Sequence, residues 1–192
     1  MRTCICRCVQ QVNTQTEILI LQHPLEVSQA KGTGRLLHLN LPASRIIIGE
    51  TFDQSSLHAL LHTSIDGSQR QPVLLYPDTP SMPAISLADT IAPNNMTLVV
   101  LDATWKKSRK MLYANPQLQQ LPRLLLNETP LSEYRIRKAH RPDQLSTYEA
   151  TCLALAQIEP NPNNTQQLLT SFNHFIEAQL AWIPEQTVLS QK

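Results

Sequence analysis

Short apolar runs cut off by turn residues set the rhythm of this chain. Glu17–Leu21 (EILIL), Arg45–Ile48 (RIII), Pro72–Tyr76 (PVLLY) and Met96–Asp102 (MTLVVLD) are compact and rich in Ile, Leu and Val. Their length and composition predict buried strands. His23-Pro24, Gly49 and Pro77 end the first three, and Ala92-Pro93-Asn94-Asn95 introduces the fourth. A fifth, edge-like strand is predicted at Tyr134–Arg137, where Tyr, Arg, Ile and Arg alternate.

Between these runs the pattern turns helical. Leu25–Leu39 has apolar residues near helical spacing, interrupted by Lys31-Gly32-Thr33-Gly34-Arg35. Ser55–His62 carries Leu57, Leu60 and Leu61 on one face, and Ser86–Ala88 is short enough for one helical turn. Trp105–Tyr113 reads as a helix with a basic face. Residues 114–133 hold three prolines and read as a partly helical connection. Ser146-Thr147-Tyr148-Glu149 is a capping box opening a helix that runs to Ile158. After the break Glu159–Asn164 a last amphipathic helix is predicted over Thr165–Trp182, with Leu168, Leu169, Phe172, Phe175, Ile176 and Leu180 on its apolar stripe.

Buried strands alternating with helices indicate an α/β fold, a mostly parallel sheet with helices on both faces. The segments divide into a Cys-containing N-terminal stretch (1–16), the α/β domain (17–158), and a C-terminal helix packed on that domain (159–192). In such sheets ligands collect where strands end and helices begin.

Composition narrows the field. The chain has 192 residues, 42% hydrophobic and 16% charged, which argues against global disorder. Net charge is +1, but residues 105–112 and 135–141 are locally basic and suited to phosphates. No apolar run reaches a membrane span, and the N-terminus lacks the apolar core of a secretory signal, so a cytoplasmic protein without membrane association is expected. Cys4, Cys6 and Cys8 crowd the start while Cys152 stands apart, which is no disulfide framework. The Cys4/Cys6/Cys8 cluster could hold metal, yet it lacks the C-x2-4-C pair and fourth ligand of a structural zinc site, and no metal is expected. With four glycines and neither G-x-G-x-x-G nor a P-loop, ordinary dinucleotide and NTP folds are disfavoured.

Four loops carry the candidate chemistry: Gln22–Glu26, Leu75–Pro77, Asp102–Trp105 and Arg141–Glu149. Each residue alone has a structural explanation, as turn, cap or core. In a parallel sheet, however, all four loops can converge on one edge.

LDATW, within VVLDATWKKSRKML, resembles the D-x-T-W signature of the DTW-domain family. ILILQHPLE, KGTGRLLHL, LLYP and RIRKAHRPDQLSTYEA resemble further segments of that family in order and spacing, from about Cys4 to Ala156. One departure is the start: the C-x-C is present, but the C-x2-C-x-R-P that usually precedes it is not. The resemblance implies a SPOUT-like α/β fold with a trefoil knot at the cofactor site. It also implies a tRNA-uridine aminocarboxypropyltransferase. Such an enzyme moves the 3-amino-3-carboxypropyl group of S-adenosylmethionine to N3 of a uridine and leaves methylthioadenosine.

Under that resemblance, Leu75, Tyr76, Pro77, Leu101, Asp102, Leu145, Ser146 and Thr147 would bind the cofactor. Asp102, Thr104 and Trp105 would be catalytic, Asp102 as base at N3 or, equally, as holder of the substrate amine or cap of the Trp105 helix, and Trp105 stacked on the uridine. His23, Arg35, Lys106, Lys107, Arg109, Lys110, Arg135, Arg137, Lys138 and Arg141 would contact the tRNA. The alternatives are a SPOUT-type RNA methyltransferase and a non-catalytic RNA-binding module.

Overall fold

The computed structural model of the chain describes residues 4–29, 32–77, 91–127 and 145–181. In chain order these form β1 (Glu17–Gln22), α1 (Gly34–Asn40), β2 (Ser44–Ile48), α2 (Gln54–His62), β3 (Gln71–Leu75) and β4 (Met96–Asp102). There follow α3 (Trp105–Ala114), α4 (Pro116–Gln119), β5 (Arg123–Leu124), α5 (Thr147–Ile158) and α6 (Pro162–Ala181). Among the described residues the strands make one parallel sheet in the order β2-β1-β4-β3-β5.

Alternation along the central strands produces three layers. Ile18, Ile20, Val73, Leu98 and Val100 point to one face, where Leu36 and Leu37 of α1, Leu155 of α5 and Phe172 of α6 cover them. Leu19, Leu21, Leu74, Val99 and Leu101 point to the other, against Leu57 and Leu61 of α2, Met111 and Leu112 of α3 and Leu118 of α4. Both faces of β1 and β4 are buried, which is why their sequences read as continuous apolar runs.

The layer of α1, α5 and α6 is keyed by a polar cluster. The Asn40 amide donates to Tyr148 at 2.6 Å and to Ser171 at 2.5 Å. The Tyr148 hydroxyl donates to the Leu168 carbonyl at 2.9 Å, and Ser171 to the Cys8 carbonyl at 2.5 Å. Tyr148 stacks on Phe172 with ring centroids 4.8 Å apart and planes 7° from parallel. Buried polar groups satisfied in this way tolerate few alternative packings.

Several expectations shift. The Gly32–Arg35 interruption is not a break within one helix: α1 begins at Gly34, after a 3-10 turn at Pro24–Glu26. The fifth strand among the described residues is Arg123–Leu124, inside the connection read as partly helical, of which α4 is the helical part. Ser86–Ala88, the strand at Tyr134–Arg137 and the end of the last helix at Trp182 lie outside the described residues. The knot that the resemblance implies is not traced by the described residues. Helix α6 starts three residues early, because proline is tolerated in a first turn and the Asn161 side chain accepts from Asn163 and Asn164 N–H. Leu169 and Leu180, expected on its buried stripe, are 38% and 44% exposed. No helix among the described residues is long and apolar enough to cross a membrane.

Phe172→Ala should cost about 3–5 kcal/mol by removing a fully buried aromatic. Chemical denaturation measures it; a loss below about 1 kcal/mol would mean that α6 is not integral to the core.

Candidate functional site

The registers of β1 and β4 set the centre of the site. Gln22 and Asp102 are register partners at the C-terminal ends of adjacent strands. By strand parity both belong to the face that carries Ile18, Ile20, Leu98 and Val100, under α1 and α5. Gln22 Nε2 donates to Asp102 Oδ2 at 2.7 Å, and Thr147 Oγ1 donates to Asp102 Oδ1 at 2.7 Å. A Cβ on Gly34 would lie 2.3 Å from Asp102 Oδ2, so only glycine permits this approach. His23 N–H donates to the Asp102 carbonyl at 3.0 Å.

Asp102 is therefore 5% exposed, held at both carboxylate oxygens, and flanked by the first residues of α1 and α5. Helix N-termini carry partial positive charge and suit an anion between them. Asp102 does not cap α3; Thr104 occupies that position, exposed and without a side-chain capping bond.

Helix α5 starts as the sequence indicates. Ser146 Oγ accepts from Glu149 N–H at 3.2 Å, and Glu149 Oε2 accepts from Ser146 N–H at 2.7 Å. Tyr148 N–H reaches Thr33 Oγ1 at 3.4 Å, tying α5 to the turn before α1.

Beside this centre lies a cleft with two adjoining lobes. One, about 80 Å³, is lined by Leu75, Tyr76, Pro77, Val100, Leu101, Ala103, Trp105, Ser108, Leu145, Ser146, Thr147 and Ala150. The other, about 370 Å³, shares Leu75, Tyr76, Pro77, Trp105, Leu145 and Ala150 and adds Leu124, Leu125 and Leu126. Trp105 is 42% exposed and meets the buried Tyr76 edge-on, with centroids 6.1 Å apart and planes at 63°. An apolar cleft with an exposed indole at its rim and a helix N-terminus in its wall suits a planar, partly anionic ligand. The structure thus brings together Leu75, Tyr76, Pro77, Leu101, Trp105, Leu145, Ser146 and Thr147, with Asp102 directly behind them.

The cations of α3 divide. Lys107 pairs with Glu26 at 2.8 Å, and Lys110 pairs with Glu50 at 2.7 Å. His23 Nδ1 accepts from Leu25 N–H at 3.1 Å, so the proton sits on Nε2, which lies 2.7 Å from Glu50. Lys110, and after it His23, hold the Glu50 carboxyl below its usual range. His23 is buried in this network rather than presented to a phosphate. Lys106 and Arg109 are exposed. Arg35 lines a different cavity of about 590 Å³, with Gln22 and His38, that shares no residue with the cleft. Arg135, Arg137, Lys138 and Arg141 lie outside the described residues.

Cys4 and Cys6 are exposed and Cys8 is buried. Hydrogen bonding from the Cys6 backbone and side chain lowers the Cys4 thiol, whereas burial raises that of Cys8. No three His, Cys, Asp or Glu come together as a metal site among the described residues. Sequence reasoning placed Gln22 in a candidate loop without giving it a role, and assigned no role to Gly34, Ser108, Glu50 or Arg123. Their roles arise from register and close approach, for which a single chain carries no local signal.

The family model of the DTW domain matches residues 1–180. A "tRNA-uridine aminocarboxypropyltransferase 2" of Drosophila melanogaster is 30% identical over 167 residues, covering 86% of this chain and 65% of that protein. The protein of the same name from Mus musculus is 26% identical over 185 residues, covering 93% and 60%. A "tRNA-uridine aminocarboxypropyltransferase A" of Arabidopsis thaliana is 26% identical over 205 residues, covering 88% and 73%. The chain thus spans less than two-thirds of the length of the first two. No solved structure gives a significant match.

Gly34→Ala should destabilise the protein by roughly 1–3 kcal/mol through overpacking against Asp102. In an Asp102→Ala background the same change should cost much less, because the clashing carboxylate is gone. A double-mutant cycle by denaturation reads the coupling; additive effects would mean that Gly34 and Asp102 do not press together.

Proposed function

The chain belongs to the DTW domain family, and we propose that it transfers the 3-amino-3-carboxypropyl group of S-adenosylmethionine to N3 of a tRNA uridine. One observation carries this reading: separate segments meet around Asp102 and form an apolar cleft with an exposed tryptophan at its rim. The names of the relatives add the substrate class.

When bound, the sulfonium donor supplies an already activated carbon. In the transfer a carbon–sulfur bond breaks, a carbon–nitrogen bond forms at N3, the N3 proton leaves to solvent or a base, and methylthioadenosine departs. No metal or side-chain nucleophile is required for that balance. What the chain contributes is orientation, the choice of which carbon meets the nucleophile. Leu75, Tyr76, Pro77, Leu101 and Leu145 would wall the nucleoside and the methyl group. The start of α5 would receive the arm's carboxylate. Thr147 turns its hydroxyl to Asp102, and the N–H groups of Ser146, Tyr148 and Glu149 are engaged by Glu149, Thr33 and Ser146, so Thr147 N–H is the backbone donor there that would do it.

Asp102 was the expected base, but its surroundings favour another role. Both oxygens receive hydrogen bonds and the group is nearly buried, which suits a carboxylate that holds the cleft together rather than one that shuttles a proton. Trp105 would stack on an unpaired uridine, Thr104 stands exposed next to it, and Lys106 and Arg109 would take flanking phosphates. Lys107 and Lys110 are committed to Glu26 and Glu50.

Incubating the protein with S-adenosylmethionine and unmodified tRNA should release methylthioadenosine and yield the modified uridine by nucleoside mass spectrometry. S-adenosylhomocysteine instead would mark a methyltransferase, and no binding of the donor a silent RNA module. Loss of a general base costs about 10²–10⁴-fold. Asp102→Asn, whose amide can re-pair with Gln22 and Thr147, should lose less than that, whereas Asp102→Ala should lose more than Asp102→Asn. A full base-sized loss in a folded Asp102→Asn would restore the base. Charge reversal at Lys106 and Arg109 together should weaken tRNA binding and reduce its salt slope by about 1.5–2, with donor affinity unchanged. Equal loss of both ligands would remove these residues from the RNA face.

A further inference from the structure

Strand β5 is two residues long, yet it ends the sheet beside the cleft. Leu74 pairs with Arg123 and Leu75 with Leu124, and Leu74 N–H donates to the Pro122 carbonyl at 2.8 Å. Arg123 is only 2% exposed. Its Nη1 donates to the Pro77 carbonyl at 3.1 Å, and its Cζ lies 5.6 Å from the centroid of the Tyr76 ring. One buried guanidinium therefore touches both residues that follow β3 and wall the two lobes of the cleft. Tyr76 in turn meets Trp105 edge-on. The contacts run in series from Arg123 to Tyr76 to the indole at the rim.

This combination suits arginine and not lysine. A guanidinium can lie over an aromatic face while its in-plane N–H groups donate to a carbonyl. An ammonium has no such plane, so gaining the ring means losing the fixed direction of the carbonyl bond. An arginine meant for RNA would reach solvent, and this one does not.

We propose that Arg123 is a positioning residue of the cleft: by covering Tyr76 and fixing the Pro77 carbonyl it sets the Tyr76–Trp105 pair, and with it the fit of the donor's nucleoside. Arg123 acts through these two residues and touches no reacting atom. The inference rests on the proposed transfer for its ligand and its kinetic readout, and the setting of the Tyr76–Trp105 pair stands apart from it.

The test uses Arg123→Lys and Arg123→Met in a Trp182→Phe background, so that Trp105 is the only indole. Acrylamide quenching and near-ultraviolet circular dichroism of Trp105 are read first, then KM and kcat with S-adenosylmethionine. Both variants should alter the Trp105 signals. Both should raise KM by roughly five- to thirtyfold, the size of one desolvated cation–π contact, with a smaller change in kcat. Lysine should not rescue. In a Tyr76→Leu background, Arg123→Lys should change KM far less, since the ring it covers is gone. A folded Arg123→Lys with parental Trp105 signals and parental KM would overturn the proposal and leave Arg123 a purely structural residue. Should Arg123→Met fail to fold, Arg123→Lys carries the decision alone. If the parent protein consumes no donor, the proposed transfer fails, while the Trp105 signals still decide whether Arg123 sets the rim.

Discussion

One carboxylate holds the site together. Asp102 receives Gln22 from β1 and Thr147 from α5, and presses against the bare Cα of Gly34 at the start of α1. The end of β1, the start of α1, the end of β4 and the Ser146–Glu149 capping box belong to four separate elements, and all four touch this group or its immediate partners. The burial of Asp102 is tolerable because donors meet both oxygens and two helix starts face it. An unpaired carboxylate in the same place would be costly. The clasp therefore only closes if the sheet register, the glycine and both helix starts are all correct, and the cleft on its far side inherits that rigidity.

A clasp of this kind suits the proposed group transfer in a protein with a near-neutral charge and no recognisable catalytic triad. A donor that carries its own leaving group asks the protein for shape and direction rather than for a nucleophile. The walls of the cleft are strand ends and one helix start, elements fixed by the core rather than by loops alone. Electrostatics are arranged around the same frame. Glu26 and Glu50 draw Lys107 and Lys110 of α3 back toward the sheet edge, and the pair at the exposed Lys110 adds little stability. What they do is orient the helix that carries Trp105, while Lys106 and Arg109 stay exposed to solvent.

Much of the frame was legible in the chain. The four apolar runs are β1 to β4 within a residue or two, because buried parallel strands must be apolar on both sides. The capping box at Ser146 and Glu149 was readable because both of its bonds lie within four residues. The loops Leu75–Pro77, Asp102–Trp105 and Arg141–Glu149, which contribute residues to the cleft wall, were readable because they sit at strand ends and a helix start, where such sheets bind ligands. The strand Arg123–Leu124 was not legible: two residues carry no periodicity, and only pairing with β3 makes them a strand. His23 was expected to contact the tRNA and is a buried hydrogen-bonding group in the fold, since nothing local announces that Glu50 will stand over it.

The sequence by itself determined the order of β1 to β4, the α/β class with helices on both faces, and the strand-end turns at Leu75–Pro77 and Asp102–Trp105, all of them consequences of local periodicity and local hydrogen bonding. Only the tertiary structure decided that Gln22 and Asp102 are neighbours, that Gly34 must lack a side chain, that Arg123 lies over Tyr76, and which lysines of α3 are already engaged. Those facts follow from sheet register and from contacts between residues up to 81 apart in the chain, and no property of a single segment encodes a distance to another.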